Sequence, residues 1–336
     1  MNFDEFVAQV KERVKDFLPE DFTDALVEVS ETRKLNQTYT ALIVRKEGQS
    51  IAPSIDLDAL YAELENSSLE EVLEQAADLA QRQPDGLDVE SIQDYEKAKE
   101  HLFIRVSGTE SNRALLQDIP YNEFNGLAIT YHVLAAIDEQ EMGSTMVTND
   151  LLEKFGVTKE QLHEDAVRNS PKILPPSIEP MEAMLQKMLG FGAAMEAPAF
   201  FEEQIRSLDM KREGMAVLTN RQAVNGAAVI FYPGVLEKIG DSQQVNFFIL
   251  PSSVHEVILV NDDGSMKLED LEDMVKSINA AEVAPKDRLS DTVFHYDYKE
   301  HLLEKGSDYE DRANSDIADG SEVPKEKHRK EKAWER

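Results

Sequence analysis

Cysteine is absent from all 336 residues. Disulfides, thiolate nucleophiles, zinc fingers and iron–sulfur clusters are therefore excluded. Basic residues are scarce: 35 Lys and Arg face 66 Asp and Glu, for a formal net charge of −31. Residues 1–100 alone hold 24 acids against 10 bases. Such a chain repels nucleic-acid phosphates and anionic lipid, so neither direct nucleic-acid binding nor membrane adhesion is expected. No window approaches about 18 uninterrupted apolar residues, the length a spanning helix needs. The opening "MNFDEFVAQVKERVKDFLP" lacks the basic start and apolar run of a signal peptide, and a cytoplasmic protein is expected. Walker A, G-x-G-x-x-G and G-x-S-x-G patterns are missing too, so no cofactor is expected and the commonest hydrolase signal is lacking.

What remains suffices for a core: 41% of the residues are hydrophobic and 30% are charged, the latter just above the roughly 25% usual in globular proteins. Asn2 with Glu5 forms a capping box, and Phe3, Phe6, Val7, Val10, Val14 and Leu18 follow at helical spacing until Pro19. "ALVEVSE" and "YTALIVRKE" read as an antiparallel strand pair. "SIDLDALYAEL" reads as a short strand entering a helix. A Ser68/Glu71 capping box opens another helix through Leu69, Val72, Leu73, Ala76 and Ala80, stopped at Pro84-Asp85-Gly86. These elements make an N-terminal α+β unit over residues 1–100.

Residues 101–300 read as the main α+β domain. "HLFIRVSG" and the long apolar "NGLAITYHVLAAI" are strands, the second central because both faces are apolar. "ESNRALLQDIP" is expected to be helical. Gly156 closes one short helix, and Thr158 with Gln161 caps the next. "PKILPPSIEP" holds four prolines and is expected to be an extended linker. "MEAMLQKMLGFGAAMEAPAFFEEQ" is partly helical; its methionines suit either gap-filling in a core, the favoured reading, or a pliable partner groove. "MAVLTN", "GAAVIFYP", "VNFFILP" and "VHEVILV" follow as four strands, then a helix burying Leu268, Leu271, Met274, Val275 and Ile278. Asn225-Gly226 signals a turn. Pro233 suits the first turn of a helix, with Gly240 just past its end. Strands in runs with flanking helices indicate α+β with mixed or antiparallel sheets. Residues 301–336 lose apolar periodicity, run acidic and then basic, and are expected to form a disordered charged tail.

Candidate chemistry concentrates in "NFFILPSSVHEVILV", residues 246–260. Ser252, Ser253, His255 and Glu256 offer a hydroxyl, an imidazole and an acid. In an extended chain Ser253 and His255 share a face while Glu256 takes the other, so the acid behind the imidazole must come from elsewhere. The competing reading is a turn whose hydroxyls cap backbone groups, with His255 tied to the backbone at a strand start. "LSDTVFHYDYKEHLL" offers Asp291, His295, Asp297 and His301. His295 and Asp297 share a strand face and are the candidate metal ligands; exposed polar positions on an edge segment are the favoured alternative. His132 reads as a core or edge-strand histidine with a partner. His163, beside Glu160 and Glu164, reads as part of a solvated face.

Taken in order, "YTALIVRKEGQSIAPSIDLD", "RVSGTESNRALLQDIPYNEFNGLAITYHV", "TNDLLEKFGVTKEQLHEDAVRNS", "LTNRQAVNGAAVIFYPGVL", "FFILPSSVHEVILV" and "LSDTVFHYD" resemble the domain-of-unknown-function family five-six-eight-eight of Gram-positive, mostly gut-dwelling anaerobes. The resemblance covers roughly residues 1–300, and "LPSSVHE" is its most specific part. It implies a setting near mobile or conjugative elements and no assigned activity, cofactor or site. The leading expectation is a non-catalytic cytoplasmic module that acts on an unknown protein partner. The alternatives are a hydrolase using Ser253 or Ser252 with His255, and an acidic decoy that imitates DNA.

Overall fold

Local caps and alternation place the first elements in the computed structural model, which describes residues 1–47, 52–82, 92–137, 142–189, 200–251 and 253–318. The chain divides into two units. Unit 1 comprises Met1–Lys97 and Leu134–Ser144; unit 2 comprises Ala98–Val133 and Thr145–Arg336. In unit 1, helix α1 (Phe3–Arg13) starts at the complete Asn2/Glu5 capping box. Strands β1 (Leu26–Lys34) and β2 (Gln37–Arg45) pair antiparallel from Leu26↔Arg45 to Lys34↔Gln37. β3 (Ser54–Asp56) completes that sheet and leads straight into α2 (Leu57–Glu63), capped by the Asp56 carboxylate. α3 (Leu69–Gln81) opens at the Ser68/Glu71 capping box. Phe6, Val10, Leu42, Leu57, Val72 and Leu73 are fully buried together. Each is worth about 1.5–3 kcal/mol on leaving water, which decides how α1 and α3 lie on this sheet.

The first boundary falls in the short helix α4 (Tyr95–Ala98). Two further sheets follow. In the first, β6 (Leu127–Ile137) lies between β4 (Leu102–Gly108) and β5 (Tyr121–Phe124), with β7 (Met142–Met146) also paired to β6. The unit boundaries cut this sheet within β6 and β7. Helices α5 (Asn149–Phe155) and α6 (Lys159–Ile173) follow, separated by Gly156 in the left-handed region at φ 66°. The second sheet runs β13-β12-β10-β11-β9-β8. Its strands are β8 (Pro176–Pro180), β9 (Met215–Asn220), β10 (Phe247–Leu250), β11 (Val257–Asn261), β12 (Phe294–Asp297) and β13 (Leu302–Lys305), and every pairing within it is antiparallel. The helices of this half are α7 (Met181–Met188), α8 (Phe201–Ser207), α9 (Met210–Glu213), α10 (Val235–Gln243), α11 (Leu268–Ala281) and α12 (Gly306–Ala318). The protein is α+β with antiparallel sheets. Among the described residues no helix is long and apolar enough to cross a membrane.

Several local expectations are corrected by tertiary forces. "ESNRALLQDIP" is turns and a 3-10 segment at Leu115–Gln117. The Asn112 amide and Ser111 hydroxyl donate to the Gly108 carbonyl at 2.8 and 3.2 Å, so the side chains compete with helical bonding. "PKILPPSIEP" is not a linker. Helix α6 continues through Pro171, and residues 176–180 are β8. β8 is a sheet edge, where a proline's missing N–H costs nothing, and its outward N–H at Ile178 donates to Gln204 Oε1 at 2.9 Å. "GAAVIFYP" is a 3-10 segment, Gly226–Phe231, buried throughout. A short all-apolar run does not distinguish a buried strand from a buried helical turn. The following helix starts at Val235 behind Gly234 in the left-handed region (φ 71°), and Gly240 lies inside α10. A Cβ on Gly240 would stand 2.8 Å from that of Tyr298, so this glycine serves close packing rather than capping. Order also extends beyond residue 300: β13 and α12 occupy residues 302–318.

Candidate functional site

The segment around His255 is a junction of three stretches of chain. Ser253 Oγ accepts the backbone N–H of His255 at 3.0 Å, a local turn bond. The Val254 N–H donates to the Asp287 carbonyl at 2.8 Å, and Ser253 makes an isolated β-bridge with Arg288. Thr219 Oγ1 donates to the His255 carbonyl at 2.6 Å, and the Ala227 N–H to the Val254 carbonyl at 3.1 Å. The imidazole is engaged on both sides: Nδ1 accepts the Asn225 backbone N–H at 3.3 Å, and Nε2 faces Asp287 Oδ1 at 3.3 Å. A backbone N–H can only donate, so Nδ1 holds the lone pair and Nε2 carries the proton toward Asp287. The acid at the imidazole is therefore Asp287, and Glu256 takes no part.

This is a Ser–His–Asp association by residue type, but not by connection. A general base needs a nitrogen free to take the hydroxyl proton. Here the hydroxyl meets the histidine's backbone, and both ring nitrogens have other partners. Ser252 lies outside the described residues. Strand β11 begins only at Val257, so Ser253 and His255 sit in the turn rather than on a strand face.

His295 and Asp297 lie on β12, an inner strand, and both are buried. The expectation of an exposed edge segment is corrected here. β13 on one side and α12 above supply the cover. His295 is fully buried, stacked on Tyr309 at 3.5 Å between ring centroids. Its Nε2 lies 3.2 Å from Asp262 Oδ2, to which Tyr309 also donates at 2.8 Å. The His295 bond, against the cost of burial and with help from Tyr309, holds the Asp262 carboxyl below its ordinary value. Asp297 accepts the N–H groups of Lys299 and Glu300 and the Arg312 guanidinium at 3.1 Å. Burial opposes its ionisation most, yet these donors outweigh burial and keep its carboxyl low. Arg312 also reaches Glu304 at 2.6 Å. The two candidate metal ligands are thus separately committed, and together they fasten α12 to the sheet.

His163 is buried, which corrects its reading as solvated. Its Nδ1 is 3.1 Å from the Tyr131 hydroxyl, and burial followed by the Lys159 charge depresses its basicity. His132 is buried on β6 with Thr130 Oγ1 3.0 Å from Nε2; burial and then the Arg105 charge push it well below an ordinary histidine. Glu237, Asp241 and His301 offer ligand atoms within 4.8 Å of one another, all on exposed residues. Exposed carboxylates meet readily on so acidic a surface.

One feature gathers residues that no single motif contains: an apolar groove of about 390 Å³. Helix α7 supplies Met181, Glu182 and Leu185. The α9–β9 turn adds Glu213, Gly214 and Met215. β11 contributes Val260 and Asn261, and the turn after it Asp263, Ser265 and Met266. Gly214 takes φ 74° so that the chain turns from α9 into β9, and its carbonyl accepts the Asn261 N–H at 2.8 Å. Met215 pairs with Val260 in register, which brings the groove floor together. Leu185 and Leu189, one turn apart, are 49% and 68% exposed. Met181, the first methionine of "MEAMLQKML", is the lining methionine to which the sequence points. Met215, Val260 and Met266 come from far along the chain and carry no signal of their own.

A protein-family model matches residues 3–298; its description is a family of unknown function (DUF5688). No curated protein and no solved structure matches the chain.

Proposed function

The chain belongs to the DUF5688 family, and we propose that it is a non-catalytic protein-interaction module of the cytoplasm, linked to mobile elements. The observation that carries this reading is the methionine-lined groove with Leu185 and Leu189 exposed beside it. Its volume falls within the roughly 300–1,000 Å³ range of binding clefts. Methionine adapts its unbranched side chain to a partner's shape, which suits a docking surface. The reactive letters of the chain add support from the other side: Ser253, His255 and Asp287 are consumed in fastening a junction.

A photo-crosslinking amino acid at position 185, in the full chain expressed in its host, tests this. The control places it at Leu26, an exposed leucine of unit 1. A discrete partner captured only from position 185, whose binding is reproduced with purified components, is the expected result. Equal capture from both positions, or none from 185, would overturn the proposal.

A further inference from the structure

The rim of the groove has one sign of charge. Among the described residues its lining holds Glu182, Glu213 and Asp263, and no lysine or arginine. Asp263 is kept ionised: the Ser265 side chain and then its N–H, the latter at 2.9 Å from Oδ1, hold its carboxyl low. Glu213, the least exposed of the three, already accepts from Arg212 at 3.0 Å and from the Asp209 N–H at 3.3 Å, so Glu182 and Asp263 carry the open charge. An apolar floor and an acidic rim describe the complement of their occupant: large apolar side chains flanked by positive charge.

Resting on the docking reading above, we infer that the groove takes an amphipathic helix of a partner protein, with lysine or arginine flanking its apolar face. The apolar face covers Met181, Met215, Met266 and Leu185. The cations lie over Glu182 and Asp263, exposed acids whose attraction weakens as salt is raised. Helix-in-groove recognition uses anchors spaced i, i+3, i+4 and i+7, and a basic helix of that pattern fits an acidic methionine-rich cleft.

The probe is a synthetic helical peptide with leucines at i, i+4 and i+7 and flanking lysines, titrated into the full chain by fluorescence anisotropy at moderate and high salt. A peptide of identical composition with scattered leucines controls for plain attraction to a chain of charge −31. Expected is binding at least about tenfold tighter for the patterned peptide. Leu185→Asp removes a burial contribution and weakens it about tenfold or more. Glu182→Lys weakens it roughly threefold to tenfold, as a lost and reversed rim pair does. Glu164→Lys, an exposed acid on α6 outside the lining, leaves it unchanged. Residues 182 and 185 are exposed, and a thermal melt confirms that each variant folds.

Equal binding of both peptides, with no effect of Leu185→Asp, overturns the inference. A patterned peptide flanked by glutamates that binds as well as the lysine form, and depends on Leu185, also overturns it while leaving the docking reading intact. If no patterned peptide of either charge binds, the docking reading falls as well. Self-association abolished by Leu185→Asp would assign the groove to a second copy. Tighter peptide binding after deletion of residues 319–336 would assign it to the chain's own basic end. Either result overturns a separate partner.

Discussion

Gly226→Ala tests whether the His255 junction is architecture. A Cβ built there stands 2.1 Å from Thr219 Oγ1, 2.4 Å from the His255 carbonyl oxygen and 2.8 Å from the Asn220 backbone nitrogen. Two of these three obstacles are backbone, so no rotamer change clears them. Overpacking of this kind costs about 1–3 kcal/mol, and relief requires moving the chain at His255. That movement breaks the 2.6 Å bond from Thr219 to the His255 carbonyl, for about 1 kcal/mol more. The sum is about 2–4 kcal/mol. For a unit of roughly 200 residues this lowers the thermal midpoint by about 4–16 °C. Scanning calorimetry measures the drop, and amide exchange of β9 and β11 locates it in unit 2. Adding Thr219→Ala removes one obstacle only, so it restores less than half of the loss. A midpoint within 2 °C or so of the parent would refute the reasoning, and full rescue by Thr219→Ala would mean that the backbone was never in the way.

Three further outcomes follow from the same geometry. His255→Ala removes two long, half-exposed ring hydrogen bonds and costs about 1–2 kcal/mol, while Ser253→Ala costs about 1 kcal/mol; an unchanged midpoint for both would show that these side chains are not held for the fold. Arg312→Ala loosens α12 by about 1–2 kcal/mol, given that the guanidinium is partly open to water; hydrogen exchange must speed up in residues 306–318 and leave β10 protected, and equal change in both would contradict the assignment. Acidification destabilises unit 2 early. His132 and His163 bind protons less readily in the fold than as free histidines, so their contribution is complete above about pH 6.5 and is lost as pH falls below it. Asp262 and Asp297 are held low, so theirs persists until pH falls below about 4. His132→Gln should therefore flatten the decline between pH 7 and 5 measured by urea unfolding, and an identical slope would rule His132 out as its source.

The comparison of letters with structure separates two kinds of information. Capping boxes at Asn2/Glu5 and Ser68/Glu71 join groups three residues apart, so the sequence contains both partners and the helix starts follow. The β1–β2 pair is equally local: alternation and a short turn suffice for its register. The segments read wrongly are those whose partners lie far away. Residues 226–231 are apolar enough for a strand, but Asn225 in the left-handed region at φ 53° and the crowding at Gly226 impose a tight helical segment. Pro171, Pro176 and Pro180 looked like a linker until a helix end and a sheet edge accommodated them. Burial of His163 and His295 involves Tyr131 and Tyr309, 32 and 14 positions away, with Phe248 also against His295.

The candidate site divides in the same way. "LPSSVHE" announced reactive residue types, and its own turn bond from Ser253 to His255 is local, yet the fate of the imidazole depended on Asn225 and Asp287, each about 30 residues distant. By itself the sequence determined composition, charge, helix caps, the hairpin and the α+β class, because each rests on total composition or on neighbours along the chain. Tertiary structure alone decided which histidines are buried, that residues 302–318 are ordered, and that α7, β9 and β11 enclose an acidic, methionine-lined groove. Those outcomes depend on contacts between distant segments, whose free energy exists only once the chain has folded.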